Sequence, residues 1–238
     1  MQAKKSSQQC KLISFSGIDG AGKSTQISAL CTRLREAGQQ VLLISFWDDV
    51  ARLTRFREAA GHTLFRGDRG VGTPEAPIHR RDKNVRSWAM TVVRLCLYSI
   101  DAFSLRRVVG RALRSGADVL ISDRYMYDEL ANLDLRNPAN RIFVGWAMKI
   151  IPKPSLSFLL DADPVEARAR KPEYPLDFLR ANRNSYLALS NLVQMAVIDP
   201  MPGLAVEQAV WERAKGLQFA ASASYEWLAS AEKDRTAS

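Results

Sequence analysis

The sequence predicts an α/β fold with three layers, in which helices cover both faces of a five-stranded parallel sheet. Short runs of β-branched and apolar residues alternate with stretches of helical pattern, which is typical of parallel sheets. A glycine-rich bend joins the first apolar run to the first helical stretch. Charged residues directly follow several runs, at the carboxyl ends of strands where such sheets collect ligands. These observations predict one crevice at that edge of the sheet.

Five segments are predicted to be strands because they are short, apolar and bounded by polar or turn residues. They are residues 12–16, 40–46, 118–122, 156–160 and 196–199. Seven segments have helical pattern, and a break is expected in the longest of them. They are residues 23–37, 49–59, 85–115, 138–151, 164–170, 176–194 and 205–216.

The 238 residues are expected to form one domain, since a chain of this length buries a full core. The domain is placed at residues 11–219, with a lid at about 164–178. A disordered tail is expected at 1–10 and a partly helical one at 220–238. Residues 65–83 combine glycine, proline and mixed charge, which predicts a loop.

Composition limits the class of protein. Cys10, Cys31 and Cys96 lack metal-ligand spacing. Because a low number of cysteines is typical of proteins in a reducing compartment, a cytoplasmic location is expected. No apolar run is long enough to cross a bilayer, so no membrane partner is expected. The formal net charge is +9, but the arginines are dispersed along the sequence, so no nucleic-acid partner is expected.

The glycine-rich bend fits the phosphate-loop pattern, with Gly17, Gly22, Lys23 and Ser24 at its fixed positions. Glycines allow backbone N–H groups to turn inward, and the helix N-terminus then presents its positive end to an anion. Lys23 is expected to reach the β- and γ-phosphates of ATP, and the Ser24 hydroxyl to ligate Mg²⁺. The residues expected to contact the ATP phosphates are Gly17, Asp19, Gly20, Ala21, Gly22, Lys23, Ser24 and Thr25.

Two further residues follow the strand predicted at 118–122. Asp123 at its tip is expected to support Mg²⁺ through water, and Arg124 to neutralise charge on the phosphoryl group in transfer. Asp19, inside the loop, would be repelled by phosphates unless it has a role. Three roles remain open for Asp19: it positions Arg124, holds the acceptor or ligates the metal.

A basic segment is expected to form the lid. Asp163 followed by Pro164 predicts a helix start, and Arg168, Arg170 and Lys171 come next. Closure of this segment over the transferring phosphate would exclude water. The alternative is an ordinary solvated helix face.

Five motifs together resemble the thymidylate kinase family over about residues 12–217. They are GIDGAGKST, SDRYMYDELA, LDADPVEARAR, FLRANRNSYLAL and VIDPMPGLAVEQAVWERA. The resemblance implies that Asp19 contacts the sugar or Arg124, and that lid arginines are catalytic when the loop lacks one. Gly20 stands where a loop arginine would otherwise lie, which places that duty on Arg168 or Arg170. Residues 200–203 would border the adenine.

The acceptor side departs from the family pattern. Tyr98 falls where an aromatic ring stacks on the thymine, but Ala102 and Asp48 stand where arginines are expected, and Asp128 where a serine is expected. Tyr98, Asp48, Asp128 and Arg94 are therefore the predicted acceptor-binding residues. Substitute cations for the missing arginines would come from a small set: Arg80, Arg81, Lys83, Arg86 and Arg94.

The sequence thus predicts a kinase that transfers the γ-phosphoryl group of ATP, with Mg²⁺, to a nucleoside monophosphate, dTMP first. Two alternatives remain open: a related kinase whose acceptor is a nucleoside, sugar or other metabolite, and an ATP-binding switch without an acceptor. The long helix predicted at 85–115 could pack against a second copy, so a homodimer is also possible.

Overall fold

The computed structural model describes residues 9–50 and 88–217, and these contain the predicted sheet. Five strands pair in parallel in the order β2-β3-β1-β4-β5. They are β1 (Lys11–Ser16), β2 (Val41–Ser45), β3 (Val119–Asp123), β4 (Leu156–Leu160) and β5 (Ala196–Ile198). The prediction of a five-stranded parallel sheet is confirmed, and each strand boundary agrees to within one residue.

The three central strands are buried on both faces, which explains why they read as continuous apolar runs. In β1, Ile13 and Phe15 point to one face of the sheet, and Ser14 and Ser16 point to the other. All four side chains are fully buried. Phe15 stacks on Phe158 of β4 with ring centroids 5.0 Å apart. Helices must therefore cover both faces of the sheet, and the architecture has the three predicted layers.

The described residues contain seven α-helices and one turn of π-helix, Phe46–Val50, directly after β2. The helices are α1 (Lys23–Glu36), α2 (Trp88–Ala112), α3 (Met126–Leu130), α4 (Pro138–Ile150), α5 (Pro164–Arg170), α6 (Leu176–Val193) and α7 (Gly203–Lys215). Asn137 and Asp163 cap α4 and α5, each followed by a proline at the first helical position. The predicted start of α5 is confirmed.

One helix prediction is wrong within the described residues. α2 is continuous over Trp88–Ala112, so the break expected in the longest helix does not occur there. The single Gly110 costs about 1 kcal/mol relative to alanine, which is too little to break a helix of 25 residues. Residues 46–50 form a turn of π-helix, in which the Asp49 carboxylate accepts from the backbone N–H of Ser45 at 2.7 Å. Residues 51–59 of the helix predicted at 49–59 lie outside the described residues. The short helix α3 was not predicted.

The helices pack in pairs on the sheet. α1 lies beside α7, where Arg33 donates to Glu207 at 2.6 Å and stacks over Trp211. α2 lies beside α4, where Phe103 meets Trp146 edge-on at 6.2 Å. This arrangement leaves the carboxyl ends of β1, β3 and β4 open to a common crevice.

Several predictions lie outside the described residues: most of the N-terminal tail, the loop at 65–83 with Arg80, Arg81 and Lys83, Arg86, and the C-terminal tail. Within the described residues, none of the helices combines the length and apolarity that crossing a bilayer requires.

Candidate active site

The glycine-rich bend connects the carboxyl end of β1 to the first turn of α1, as the phosphate-loop pattern requires. Gly17 and Gly20 have φ angles of 145° and 82°. A Cβ atom would lie 2.5 Å from the Leu160 carbonyl oxygen at Gly17, and 2.2 Å from the Ala167 carbonyl oxygen at Gly20. Both positions therefore need glycine, because β4 and α5 press directly on the loop.

The start of α1 suits a bound anion. Gly22 is its N-cap, with φ 84°, and no side chain of the described residues caps the first turn. Ser24 and Thr25 lie exposed in that turn. The positive end of the helix dipole and its uncapped N–H groups thus face the bend, which is the arrangement that holds phosphates.

Lys23 is buried beneath the loop. Its Nζ donates to the carbonyl oxygens of Gly17 and Ile18, both at 2.9 Å. Burial lowers the pKa of Lys23 to about 8, and the nearby Arg124 charge lowers it too, against the opposing effect of three carboxylates. A phosphate dianion at this point would favour the charged form and raise that pKa again.

Arg124 lies between two carboxylates. Its guanidinium donates to Asp19 at 2.5 Å and to Asp128 at 3.2 Å. Burial opposes the charged form, but Asp128 and Asp19 outweigh it and raise the pKa of Arg124. The backbone of Arg124 has φ 64°, in the left-handed region that non-glycine residues rarely adopt. Asp19 therefore orients Arg124 in this structure, one of the three roles left open for it.

Asp128 is the centre of a buried hydrogen-bond network. One carboxylate oxygen accepts from the Ser16 hydroxyl at 2.7 Å and the Tyr125 N–H at 3.1 Å. The other accepts from the Tyr186 hydroxyl at 2.7 Å and from Arg124. The side chain of Asp128 is only 2% exposed. Its charge is thus balanced inside the protein, and Tyr186 connects this network to helix α6.

Asp123 ends β3 opposite Phe15 of β1 and Ser45 of β2. Burial raises the pKa of its carboxyl group, while the charges of Arg124 and Lys23 lower it. Asp48 raises it further from the π-turn, where its own side chain is exposed. Asp123 is therefore close to Lys23 and to the loop, at the tip of the neighbouring strand.

The two arginines predicted for the lid differ in their surroundings. Arg168 follows Ala167, whose carbonyl lies against the loop, and its buried Nε has no hydrogen-bond partner among the described residues. Arg170 is half exposed and contacts Glu166 one turn earlier, at 3.3 Å to its carbonyl and 3.8 Å to its carboxylate. Arg168 is therefore the more buried of the two.

Comparison with curated proteins gives consistent relatives. The chain is 32% identical over 170 residues to the thymidylate kinase of Chlorobaculum parvum, covering 67% of this chain and 65% of that protein. It is 30% identical over 183 residues to the probable thymidylate kinase of Archaeoglobus fulgidus, covering 74% and 80% respectively. The chain belongs to the thymidylate kinase family. The resemblance drawn from the sequence is confirmed. No protein-family model matches the chain.

Solved structures of thymidylate kinases share the fold of this family member. The Candida albicans enzyme superimposes with a TM-score of 0.58 at 20% identity, covering 87% of this chain and 92% of its own. The Ehrlichia chaffeensis enzyme gives 0.53 at 18% identity, covering 87% and 99%. The phosphate-loop kinase fold is therefore confirmed over most of the chain.

The predicted acceptor residues of this family member do not all lie together. Tyr98 is 5% exposed, and its hydroxyl bonds with Glu129 and Asn132. Burial and the Glu129 charge raise the pKa of Tyr98 well above its usual value. Arg94 donates to the Asn132 carbonyl at 3.4 Å, one helical turn before Tyr98. Asp48 instead lies exposed in the π-turn after β2, near enough to Asp123 to raise the pKa of that carboxyl group.

The sequence did not single out Glu129 and Tyr186, which the structure places at the site. Glu129 is 4% exposed and bonds to Tyr98. Tyr186 is 3% exposed and bonds to Asp128. For Glu129 a signal existed, because two adjacent acids in SDRYMYDELA follow a fully buried strand. For Tyr186, which is 58 positions from Asp128, the sequence carries no such signal.

Proposed function

We propose that this chain transfers the γ-phosphoryl group of ATP to dTMP, forming dTDP and ADP. The observation that carries the proposal is the Lys23–Asp19–Arg124 arrangement at the phosphate loop of a thymidylate kinase family member. The curated relatives are named for this activity. Nothing in the comparisons favours a non-nucleotide acceptor or a non-catalytic switch.

On the donor side, the amides at the start of α1 hold the β- and γ-phosphates, and Lys23 moves from the two loop carbonyls to the phosphate oxygens. The Lys23 ammonium group keeps its hydrogen bonds in this movement, because the carbonyl oxygens and the phosphate oxygens are both acceptors. Phosphoryl transfer needs little covalent chemistry from the protein, so positioning and charge neutralisation carry most of the catalysis.

The residues at the loop fit Mg²⁺, which binds to proteins through one or two oxygen ligands and keeps several waters. The Ser24 hydroxyl in the first turn of α1 and the Asp123 carboxylate at the tip of β3 would hold it. Bound there, Mg²⁺ would supply positive charge that offsets the negative charge of the phosphates. A cation beside Asp123 would lower the pKa of its carboxyl group, against the effect of burial, and so favour the charged carboxylate.

Arg124 and Arg168 stabilise the charge that develops on the transferring group. Arg124 is held by Asp19 and Asp128, so it is preorganised. The partnerless Nε of Arg168 has hydrogen-bonding capacity left for a phosphate oxygen. Arg170 contributes to the basic surface of the lid. We place the dTMP base beside Tyr98, with Arg94 as a nearby cation.

A direct test measures ADP formation with dTMP, dUMP, dCMP, thymidine and sugars as acceptors. We expect turnover and thermal stabilisation with dTMP first, and loss of about 10²-fold or more in kcat/KM for Lys23→Ala with the thermal unfolding transition preserved. Stabilisation by thymidine or a sugar instead of dTMP would favour the alternative acceptor. Binding of ATP without turnover for every acceptor would favour the switch.

We also propose a homodimer formed through α2. Val92, Val93 and Ile100 on this helix are each 46–48% exposed, an unusually apolar surface for one helix. Light scattering coupled to size exclusion chromatography tests this, with Ile100→Glu as the variant expected to give a monomer.

A further inference from the structure

A pocket with a strongly basic lining lies between α2 and α4. Its volume is about 430 Å³, which falls in the range of small-molecule sites. Four arginines that the sequence spreads over nine positions line it together with an exposed aromatic ring and an apolar side chain. These residues are Arg106, Arg107, Arg111, Arg114, Phe103 and Ile150.

Helical spacing brings the arginines together. Arg107, Arg111 and Arg114 are four and three residues apart and thus share one face of the helix and the turn that follows it. Gly110 between them has no side chain, and the Arg114 guanidinium lies 3.6 Å from where its Cβ would be. The Arg114 side chain therefore lies over Gly110, close to the guanidinium groups of Arg107 and Arg111 in the pocket lining.

The charges of this cluster are not balanced within the described residues. Arg106 donates to the Ile150 carbonyl at 3.0 Å, and no carboxylate of residues 9–50 and 88–217 forms an ion pair with any of the four arginines. Arginines at i and i+4 repel each other. The negative end of the α2 dipole favours Arg111, in the last turn. That explains one cation in the cluster but not four.

The pocket is separate from the crevice described above. In this fold the helices run antiparallel to the strands they follow, so α2 and α4 end at the amino-terminal edge of the sheet. The pocket uses the last turns of both helices, whereas the phosphate loop follows the carboxyl end of β1. The two sites lie on opposite edges of the sheet.

We propose that this pocket binds a phosphate chain carrying two or more negative charges, either free polyphosphate or the phosphate tail of a nucleotide. Guanidinium groups match phosphate oxygens with paired hydrogen bonds, which makes arginine the preferred residue for this ligand. The Phe103 side chain, 47% exposed and held edge-on by Trp146, adds a surface on which a base would stack. The small volume fits such a ligand better than a macromolecule.

The test titrates inorganic tripolyphosphate into the full chain carrying Lys23→Ala, which weakens binding at the phosphate loop. Adding Arg107→Gln with Arg111→Gln should weaken the remaining binding at least tenfold. The control pair, Arg136→Gln with Arg213→Gln, removes the same charge from exposed positions elsewhere and should change it less than threefold. Equal weakening by both pairs, or no binding at all in Lys23→Ala, would overturn the proposal.

Three further measurements sharpen the result. If ATP binds more tightly than tripolyphosphate and Phe103→Ala removes this difference, the occupant is a nucleotide. If the two bind equally, the pocket recognises the phosphate chain alone. A single-stranded oligonucleotide that binds ten times more tightly would make the surface a nucleic-acid site and refute a small ligand. With Lys23 intact, Arg107→Gln with Arg111→Gln should turn over substrate normally, so failure here is distinct from failure of the proposed function.

Discussion

Replacing Asp128 by asparagine removes the central charge of the buried network and keeps its size. Of the four donors that Asp128 accepts from, an asparagine oxygen placed toward Ser16 and Tyr125 keeps two. The amide nitrogen then faces Arg124 and the Tyr186 hydroxyl. The hydroxyl can accept from this amide, whereas two donors oppose each other at Arg124, so the ion pair with Arg124 is lost. Arg124, whose side chain is 21% exposed, keeps only the partner Asp19.

The expected loss is about 3–5 kcal/mol of unfolding free energy, the range for a buried ion pair with one partner removed. Losing the charged hydrogen bond to Arg124 costs about 1.5–3 kcal/mol, and replacing the charged bond to Tyr186 by a neutral one costs about 1 kcal/mol more, which gives a similar magnitude. Asp177→Asn is the matched control, because Asp177 lies at the same 3.2 Å from Arg180 but is 94% exposed. It should cost less than about 1 kcal/mol.

Urea unfolding followed by fluorescence measures both variants, and steady-state kinetics adds the functional consequence. Since Asp128 holds Arg124, Asp128→Asn should lower kcat at least tenfold and alter the KM for ATP much less. A loss of stability no greater than that of Asp177→Asn would show that burial does not strengthen the Arg124–Asp128 pair, and the reasoning would fail.

Three other predictions concern the lid and the loop. Arg168→Ala should lower kcat by more than tenfold and Arg170→Ala by less than threefold. Equal turnover in the two variants would show that the segment is an ordinary solvated helix face and not a catalytic lid. Gly20→Ala should destabilise the fold by several kcal/mol more than Gly116→Ala. Gly116 also has a positive φ of 88°, but no atom lies within 4 Å of a Cβ added there. Equal losses of unfolding free energy in urea would show that backbone strain alone causes the effect. Because the pKa of Lys23 is about 8 in the structure and near 10.4 when unfolded, the folded state binds fewer protons between these values, so stability should gain from this residue as pH rises from 8 to 10. Thermal unfolding of wild type and Lys23→Met across that range checks the sign, since only wild type should show this gain.

The sequence predicted the features that depend on residues close together in the chain. Apolar runs located the strands, and the pair Asp163–Pro164 located the start of α5, because capping depends on neighbouring residues. The phosphate loop was predictable for the same reason, since its glycines and Lys23 lie within one short segment.

The rest depends on contacts between distant segments. The sequence placed Asp128 at the acceptor, whereas in the structure its partners are 112 and 58 positions away, at Ser16 and Tyr186. A role for Asp128 toward the acceptor stays a prediction. Likewise, the arginines from 106 to 114 looked dispersed in the sequence, and only the continuous helix α2 shows that they share a pocket.

The contact between Gly20 and the Ala167 carbonyl has an evolutionary consequence. Any side chain on the loop at that position must occupy space already filled by the backbone of α5. A descendant of this chain could therefore not acquire an arginine at position 20 by a single substitution without a shift of α5. The two changes would have to occur together.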